Sequence, residues 1–312
     1  MKINVYIELY GQEWAYVAVF HKIYKKIVSE YSDIDFKLID AGLMRDPKTY
    51  VSAGCKYGPF FMILENDDTK KYIVISYWDK LKNLTIEHDV TNWDISNCVE
   101  IIASSGAHDN DLYYAPLNVD YTPFSYICAR SENENIIEKL YAEKSTKKYP
   151  DILSFRGYIY GFREYLMQTK KYNIIPIHTS HLPSPKYLAE LSGEYLNFSI
   201  NGAGEICHRD MEILGLGNAL FRMKLVGKFH TELIPNYHYI AIDCDDIPKN
   251  IAQYDYWALL HNRIIDRFEE IKTDYDFIKY IGENGRKWYL ENGTINTNAD
   301  IAFSLLNFSK LQ

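Results

Sequence analysis

The sequence lacks the cysteine pattern of a disulfide-bonded or zinc-binding domain. Its 312 residues contain five scattered cysteines and no C-x-x-C pair; they are Cys55, Cys98, Cys128, Cys207 and Cys244. An odd number of isolated cysteines is typical of free thiols in a reducing compartment. We therefore expect neither structural disulfides nor a cysteine-based zinc site.

Long apolar runs and an excess of basic residues are also missing. No hydrophobic stretch approaches the roughly 20 residues of a membrane-spanning helix, and Glu8 comes too early in the N-terminal segment for a signal-peptide core. The formal net charge is −8 at pH 7, whereas a general nucleic-acid binder normally has a basic surface. The sequence predicts a soluble, cytoplasmic protein with no transmembrane segment and no nucleic-acid partner.

A dinucleotide-binding fingerprint is absent as well. No G-x-G-x-x-G follows the first apolar segment, residues 2–9. That motif forms the tight turn between a strand and a helix in many dehydrogenases. Its absence argues against a dehydrogenase.

Strand-like and helix-like segments alternate in both halves of the chain. Residues 2–9, 14–31 and 36–40 read as strand, helix and strand, the order of a right-handed βαβ unit with a parallel sheet. The pattern restarts after the polar stretch 144–150, and at this length two domains of roughly 150 residues each are expected. We predict an α/β fold with two Rossmann-like domains facing a cleft, residues 1–140 and 141–312, and a last helix that returns across their interface.

The most informative stretch is YLNFSINGAGEICHRDMEILGLGN, residues 195–218. It reads as a short apolar strand, a loop containing Gly202 and Gly204, and the start of a helix. Unpaired N–H groups and the helix dipole at such a helix start favour anionic ligands, and glycines let the backbone approach a ligand closely. Arg209 can donate two parallel hydrogen bonds to a phosphate. The stretch therefore predicts a phosphate-binding loop.

Three segments of the second half carry a family resemblance. They are SFRGYIYGFR (154–163), the stretch from Asn197-Phe198 through Arg209 to Gly217-Asn218, and PNYHYIAIDCDD (235–246) followed by ENGRKWYLEN (283–292). Together they resemble the catalytic half of the CAP10-like capsule enzymes and the protein O-glucosyl- and O-xylosyltransferases, which are GT-B-type glycosyltransferases. The resemblance covers roughly half of the chain, and the first half matches no family.

The resemblance implies a reaction and a set of ligands. It implies transfer of a sugar from a nucleotide-sugar donor, linked to UDP or GDP, to a hydroxyl of a glycan or glycoprotein acceptor. The expected transfer inverts the sugar's configuration and needs no metal or other cofactor. The missing secretory signal fits the cytoplasm of a bacterium or of a virus-infected cell.

Without a metal, guanidinium groups and helix N-termini must stabilise the charge on the departing diphosphate. By the resemblance, Arg156, Arg163 and Arg209 occupy donor-binding places, although surface ion pairing is an equal alternative for Arg163.

Glu205, His208 and Glu212 complete the predicted donor site. Glu212 can accept the ribose hydroxyls, or it can orient Arg209 instead. His208 either contacts the donor or packs its helix. Six residues lie between Glu205 and Glu212, one fewer than between the paired glutamates of many retaining enzymes of this fold.

An inverting transfer also requires a general base that takes the proton of the acceptor hydroxyl. We expect the first domain to supply it where a strand ends. Asp79 follows the apolar run IVISYW, and Asp109 follows VEIIASSGA within a His108-Asp109 pair. Glu13, in the first loop, is a third candidate.

Two other functions remain open from the sequence. Asp243, Asp245 and Asp246 follow an apolar strand and mimic the metal-binding Asp-x-Asp of GT-A-like, manganese-dependent glycosyltransferases. The second alternative is a non-catalytic module that binds a nucleotide or a glycan, because a Rossmann-like fold does not by itself determine function.

Overall fold

The computed structural model describes most of the chain in detail. The described residues are 1–7, 9, 15–40, 61–76, 95–103, 120–123, 131–143, 146–157, 161–168, 175–180, 182–201, 206–227, 229–248 and 250–312. Within them, strands and helices alternate in both halves, so the protein is a mixed α/β protein.

The N-terminal half begins with the predicted βαβ unit. Strand β1 (Lys2–Ile7) pairs in parallel with β2 (Asp35–Asp40), and helix α1 (Ala15–Glu30) connects them. Tyr16, Phe20 and Ile23 recur at helical spacing and are buried. This spacing gives α1 one apolar face, which packs against the sheet and explains why the segment is a helix.

The rest of the N-terminal sheet is not all parallel, which corrects the parallel sheet predicted for this half. Its order is β2-β1-β3-β4-β5-β6, and β3 runs antiparallel to both β1 and β4. The turn at 67–69 joins β3 directly to β4, and a parallel connection would need a much longer crossover. The added strands are β3 (Phe61–Asn66), β4 (Tyr72–Ser76), β5 (Cys98–Ala103) and β6 (Asp120–Pro123).

The C-terminal half contains a parallel sheet of three strands in the order β9-β10-β11. The segments near 155 and 177 form a separate two-stranded parallel pair, β7 and β8. The elements are α2 (Ser131–Ala142), β7 (Phe155–Arg156), α3 (Phe162–Gln168), β8 (Ile177–His178), α4 (Ser184–Ser192), β9 (Leu196–Phe198), α5 (His208–Gly215), β10 (Ala219–Met223) and β11 (Ile240–Ile242).

Three helices close the fold. They are α6 (Gln253–Ile271), α7 (Tyr275–Asn292) and α8 (Ile295–Leu305). Helix α7 packs on α5 and β10, and α8 crosses to α1 in the N-terminal half. Beyond α8, Asn66 Nδ2 donates to the carbonyl of Leu311 at 2.9 Å, and Lys310 pairs with buried Glu100 at 3.1 Å. The C-terminal end of the chain therefore lies against the N-terminal sheet. That the last helix returns across an interface between two domains stays a prediction.

The two halves share part of their core. One apolar cluster runs from the N-terminal sheet through α1 to α5, α7 and α8, and a second lies between the C-terminal sheet and α6. Helix α2 packs on α4 and α5, although the predicted boundary at residue 140 places it in the first domain. That boundary stays a prediction. In the described part of the chain, no helix combines the length and apolarity needed to cross a bilayer.

The close approach of α7 to the C-terminal sheet generates a prediction about Gly282. A Cβ at this position would lie 2.6 Å from the carbonyl oxygen of Gly217 and 3.3 Å from the amide of Ala219. We expect Gly282→Ala to lower the free energy of unfolding by about 1–3 kcal/mol, because α7 must move outward. Urea unfolding measures the change.

Gly193→Ala is the matched control. At Gly193 the nearest atom to an added Cβ is 3.4 Å away, and φ is −74°, so the change should stay within about 0.5 kcal/mol. Equal effects of the two substitutions would contradict the close packing of α7 on β10.

Candidate functional site: the carboxyl edge of the C-terminal sheet

The residues on either side of the predicted phosphate-binding loop lie at the carboxyl edge of the C-terminal sheet. Strand β9 ends at Phe198 and helix α5 begins at His208. Because β9, β10 and β11 are parallel, their carboxyl ends share one edge, which the N-terminus of α5 also faces. Unpaired N–H groups at that helix end favour an anion.

Two buried arginines hold the chain on either side of the loop. Arg163 on α3, 7 % exposed, donates Nη2 to the carbonyls of Ile200 and Asn201 at 3.0 and 3.1 Å. Arg222 on β10, 1 % exposed, donates Nη2 to Asn201 Oδ1 at 2.8 Å and Nη1 to Asp210 Oδ2 at 2.6 Å. Arg222 therefore ties the residue before the loop to the first turn of α5.

Asp210 completes this connection by capping α5. Its Oδ2 accepts the backbone N–H of Cys207 at 2.8 Å, so an otherwise unpaired donor at the helix start is satisfied. Burial, and secondarily the charge of Asp210, raise the pKa of the Cys207 thiol to about 11. Cys207 is thus a neutral thiol at physiological pH and not a nucleophilic thiolate.

Arg209 has a different environment from the other two arginines. Its guanidinium carbon lies 4.1 Å from the ring centroid of Phe155, and its Nε donates to the hydroxyl of Tyr187 at 3.0 Å. Arg163 also lies over Phe155, at 4.6 Å. Within the described ranges, no carboxylate lies at ion-pair distance from Arg209. Its Nη groups therefore have no carboxylate partner there.

The electrostatic surroundings keep Arg209 charged and Tyr187 neutral. Burial acts to lower the pKa of Arg209, but Tyr187, Cys207 and Glu212 act in the opposite direction and the net shift is upward. Burial, followed by the charge of Glu212, raises the pKa of the Tyr187 phenol. The site thus holds a permanent cation against a neutral phenol and an aromatic face.

Arg156, predicted as a donor ligand, is engaged elsewhere. Its guanidinium forms a two-oxygen ion pair with Glu190 at 3.0 to 3.2 Å, and its Nη1 donates to Ser180 Oγ at 2.7 Å and to the Ser180 carbonyl at 3.0 Å. The adjacent Phe155 faces Arg209 and Arg163. A donor-binding role for Arg156 stays a prediction.

His208 and Glu212 contact protein groups of other elements. The hydroxyl of Tyr16 on α1 lies 2.7 Å from His208 Nε2, which joins the two halves of the chain. Glu212 is 3 % exposed and accepts Asn133 Nδ2 from α2 at 2.6 Å. This geometry agrees with the alternative in which Glu212 supports its surroundings, and its contact with ribose stays a prediction.

The other predicted site residues lie outside the described residues. They are Asp79 and Asp109, the predicted general bases, together with Glu13 and Glu205. Their roles stay predictions.

The acidic run after β11 is paired with cations. Lys224 contacts Asp245 and lies 3.9 Å from Asp243, and Arg263 contacts Asp246. No group of three His, Cys, Asp or Glu side chains with the geometry of a metal site occurs among the residues that the structure describes. The carboxylates of the Asp-x-Asp-like run therefore serve as partners of Lys224 and Arg263.

Three residues of the site were not singled out from the sequence. Arg222 had a signal, because a charged residue interrupts the otherwise apolar strand ALFRM. Phe155 lies inside a quoted motif, but its stacking on Arg209 depends on an element some 50 residues away. Tyr187 had no signal, since nothing in its local sequence indicates that its hydroxyl reaches Arg209.

Comparisons with known proteins add one structural likeness. No family model matches the sequence, and no curated protein matches it either. Among solved structures, the chain is similar to the pneumococcal O-GlcNAc transferase GtfA in complex with UDP and GlcNAc. The identity is 9 % and the TM-score 0.37, over 78 % of this chain and 63 % of that one. The chain therefore spans less than two thirds of the length of that protein.

The buried pair between Arg222 and Asp210 generates a prediction about stability. Arg222→Met leaves Asp210 buried without its cation, so we expect a loss of about 3–5 kcal/mol in the free energy of unfolding. Adding Asp210→Asn to this variant removes the isolated charge, and the double variant should lose less than the sum of the single losses. Urea unfolding of the three variants measures the coupling.

Lys224→Met provides the exposed comparison. Lys224 pairs with Asp245, and both side chains are substantially exposed, so this change should cost less than about 1 kcal/mol. If the unfolding free energy lost by the double variant equals the sum of the two single losses, the ion pair between Arg222 and Asp210 does not stabilise the carboxyl edge of the sheet.

Proposed function

We propose that the protein is a glycosyltransferase that binds the diphosphate of a nucleotide-sugar donor at the carboxyl edge of its C-terminal sheet. The observation that carries the proposal is Arg209, a cation placed at the start of α5 by Phe155 and Tyr187. Guanidinium groups recognise phosphate oxygens through paired N–H donors. The family resemblance of residues 154–163, 195–218 and 235–246 gives the donor class, a UDP- or GDP-sugar.

The local charge supports an anionic ligand. Arg163 and Arg209 share the ring of Phe155, and Arg163 and Arg222 share Asn201 as a partner. Among the residues that the structure describes, the carboxylates beside these three cations are Asp210 and Glu212, so the described part of the site carries one excess positive charge in a chain of net charge −8. A diphosphate complements that excess, and the partly buried setting strengthens the attraction.

The contact between the two halves supports an acceptor site on the N-terminal side. Tyr16 lies in the first turn of α1, and the amide of Leu9 donates to Asp40 at the end of β2. The contact between Tyr16 and His208 therefore brings the start of α1 close to the start of α5. Each of these helix starts follows the carboxyl end of a strand in its own sheet. We propose that the donor binds the second domain and that the glycan or glycoprotein acceptor approaches from the first.

In the proposed reaction, the bond between the anomeric carbon and the donor's diphosphate breaks while the acceptor oxygen bonds to that carbon from the opposite face. The configuration is inverted, and the diphosphate leaves with the bonding electron pair. Arg209 and the N–H groups of α5 stabilise the charge that develops on it. The acceptor hydroxyl gives its proton to a carboxylate of the first domain, for which we propose Asp79 or Asp109.

We further propose that this transfer requires no divalent metal. Guanidinium groups supply the positive charge at the donor edge, whereas the carboxylates after β11 are paired with Lys224 and Arg263. The alternative of an Asp-x-Asp metal site requires those ion pairs to open.

Replacement of Arg209 tests the proposed donor site. We expect Arg209→Ala to lower transfer from the donor by on the order of 100-fold, because a cation that stabilises the leaving group is lost. Arg209→Lys keeps the charge but not the paired donors and should give an intermediate rate. A screen of UDP- and GDP-sugars by thermal shift identifies the donor, and initial rates of its turnover measure the effect.

Arg267→Ala is the control, because Arg267 pairs with Glu270 on α6 outside the site. Near-normal transfer by a folded Arg209→Ala protein would overturn the proposal. Nucleotide-sugar binding without any turnover would instead identify a non-catalytic binding module.

Chelation tests the metal dependence. We expect the transfer rate to be the same with and without EDTA, because no step of the proposed reaction uses a divalent ion. Inactivation by EDTA that Mn²⁺ reverses would support the Asp-x-Asp alternative, and loss of that recovery in Asp245→Asn would assign the metal to the run after β11.

A further inference from the structure

Tyr16 contacts His208, and the proposed reaction assigns no role to this contact. His208 is the first residue of α5, and the next residue is Arg209. Tyr16 is 6 % exposed and belongs to α1, 192 residues earlier in the chain. A residue of the N-terminal half thus contacts the helix turn that carries the candidate phosphate ligand.

The geometry of this contact restricts the first turn of α5. The hydroxyl of Tyr16 and His208 Nε2 are 2.7 Å apart, and the two rings are 5.3 Å apart at an interplanar angle of 42°. Tyr16 also belongs to the apolar cluster that contains Ile206 and Met211, on either side of this turn. The hydrogen bond therefore connects two surfaces that are already packed together.

The other supports of this turn come from the C-terminal half itself. Arg222 and Asp210 hold it from β10 and from within α5, and Tyr187 on α4 orients the Arg209 side chain. Among the side-chain hydrogen bonds described for α5, two come from residues before the predicted boundary at residue 140: Tyr16 to His208 in the first turn, and Asn133 of α2 to Glu212 further along. The Tyr16 contact is on the residue next to Arg209, so through it the N-terminal half can affect the position of Arg209.

We propose that Tyr16 is a positioning residue for the donor site: its hydrogen bond to His208 holds the first turn of α5 so that Arg209 meets the donor's diphosphate. This inference rests on the proposed function. Tyr16 acts through His208 and does not itself contact the reacting atoms. It couples the relative placement of the two halves to nucleotide binding, because separation of the halves breaks the same bond.

Tyr16→Phe removes the hydroxyl and keeps the ring packing. We expect the dissociation constant for UDP or GDP, whichever the wild type binds, to rise by about 3- to 10-fold, the effect of one lost hydrogen bond. We also expect faster hydrogen exchange of the backbone amides in residues 207–212. Calorimetry measures the first quantity and exchange mass spectrometry the second.

Tyr31→Phe is the matched control. Tyr31 packs on Phe303 and Phe308 at the C-terminal end of the chain and has no described contact with α5, so its variant should match the wild type in both measurements. A purely structural role of Tyr16 would lower the melting temperature but leave the affinity of the folded protein unchanged, and that result would overturn the inference. Unchanged exchange at residues 207–212 would overturn it too.

The inference and the proposed function fail in different ways. If Arg209→Ala weakens nucleotide binding and Tyr16→Phe does not, the donor site stands and the positioning role is wrong. If the wild type binds neither UDP nor GDP, the proposed donor site is wrong and the inference falls with it.

Discussion

The candidate site depends on one buried interaction, the ion pair of Arg222 with Asp210. Asp210 caps α5, and Arg222 also binds the side chain of Asn201 at the end of β9. The charges sit inside the protein, where an ion pair is favourable only with good geometry and additional hydrogen bonds. Additional hydrogen bonds come from the amide of Cys207 to Asp210 Oδ2 and from Arg222 to Asn201, whereas Asp210 Oδ1 is buried without a described hydrogen-bond partner. The pair therefore places the strand end and the helix start relative to each other, and the position of Arg209 follows from it.

The arginines at this edge have two different roles. Arg163 and Arg222 are buried and bonded to the chain itself, so they define the shape of the edge. Arg209 rests on an aromatic face and a phenol, which orient it without neutralising it. Because an aromatic face attracts a cation without supplying a counter-charge, this arrangement preserves the positive potential that a phosphate requires. Arg156, in contrast, has a carboxylate partner, because it forms an ion pair with Glu190.

Much of the fold was predictable because it follows from local pattern. The alternation of strands and helices predicted the βαβ unit of β1, α1 and β2, and a second α/β half after residues 144–150. The parallel N-terminal sheet was not correctly predicted, because a short turn after Asn66 reverses the chain and the sequence pattern of a buried strand is the same in either direction. In the site, Arg163 and Arg209 were predicted as ligands by resemblance, yet the structure gives them different environments.

The sequence by itself determined the class of structure and the loop at which an anion is expected, since hydrophobic periodicity, glycines and a following arginine are local features. Only the tertiary structure decided which of the described charges there are paired with an opposite charge. Glu190 reaches Arg156 from α4, and Asp210 reaches Arg222 from α5, whereas Phe155 and Tyr187 meet Arg209. These partners lie far apart in the chain, and electrostatic attraction depends on their separation in space, which the fold alone sets.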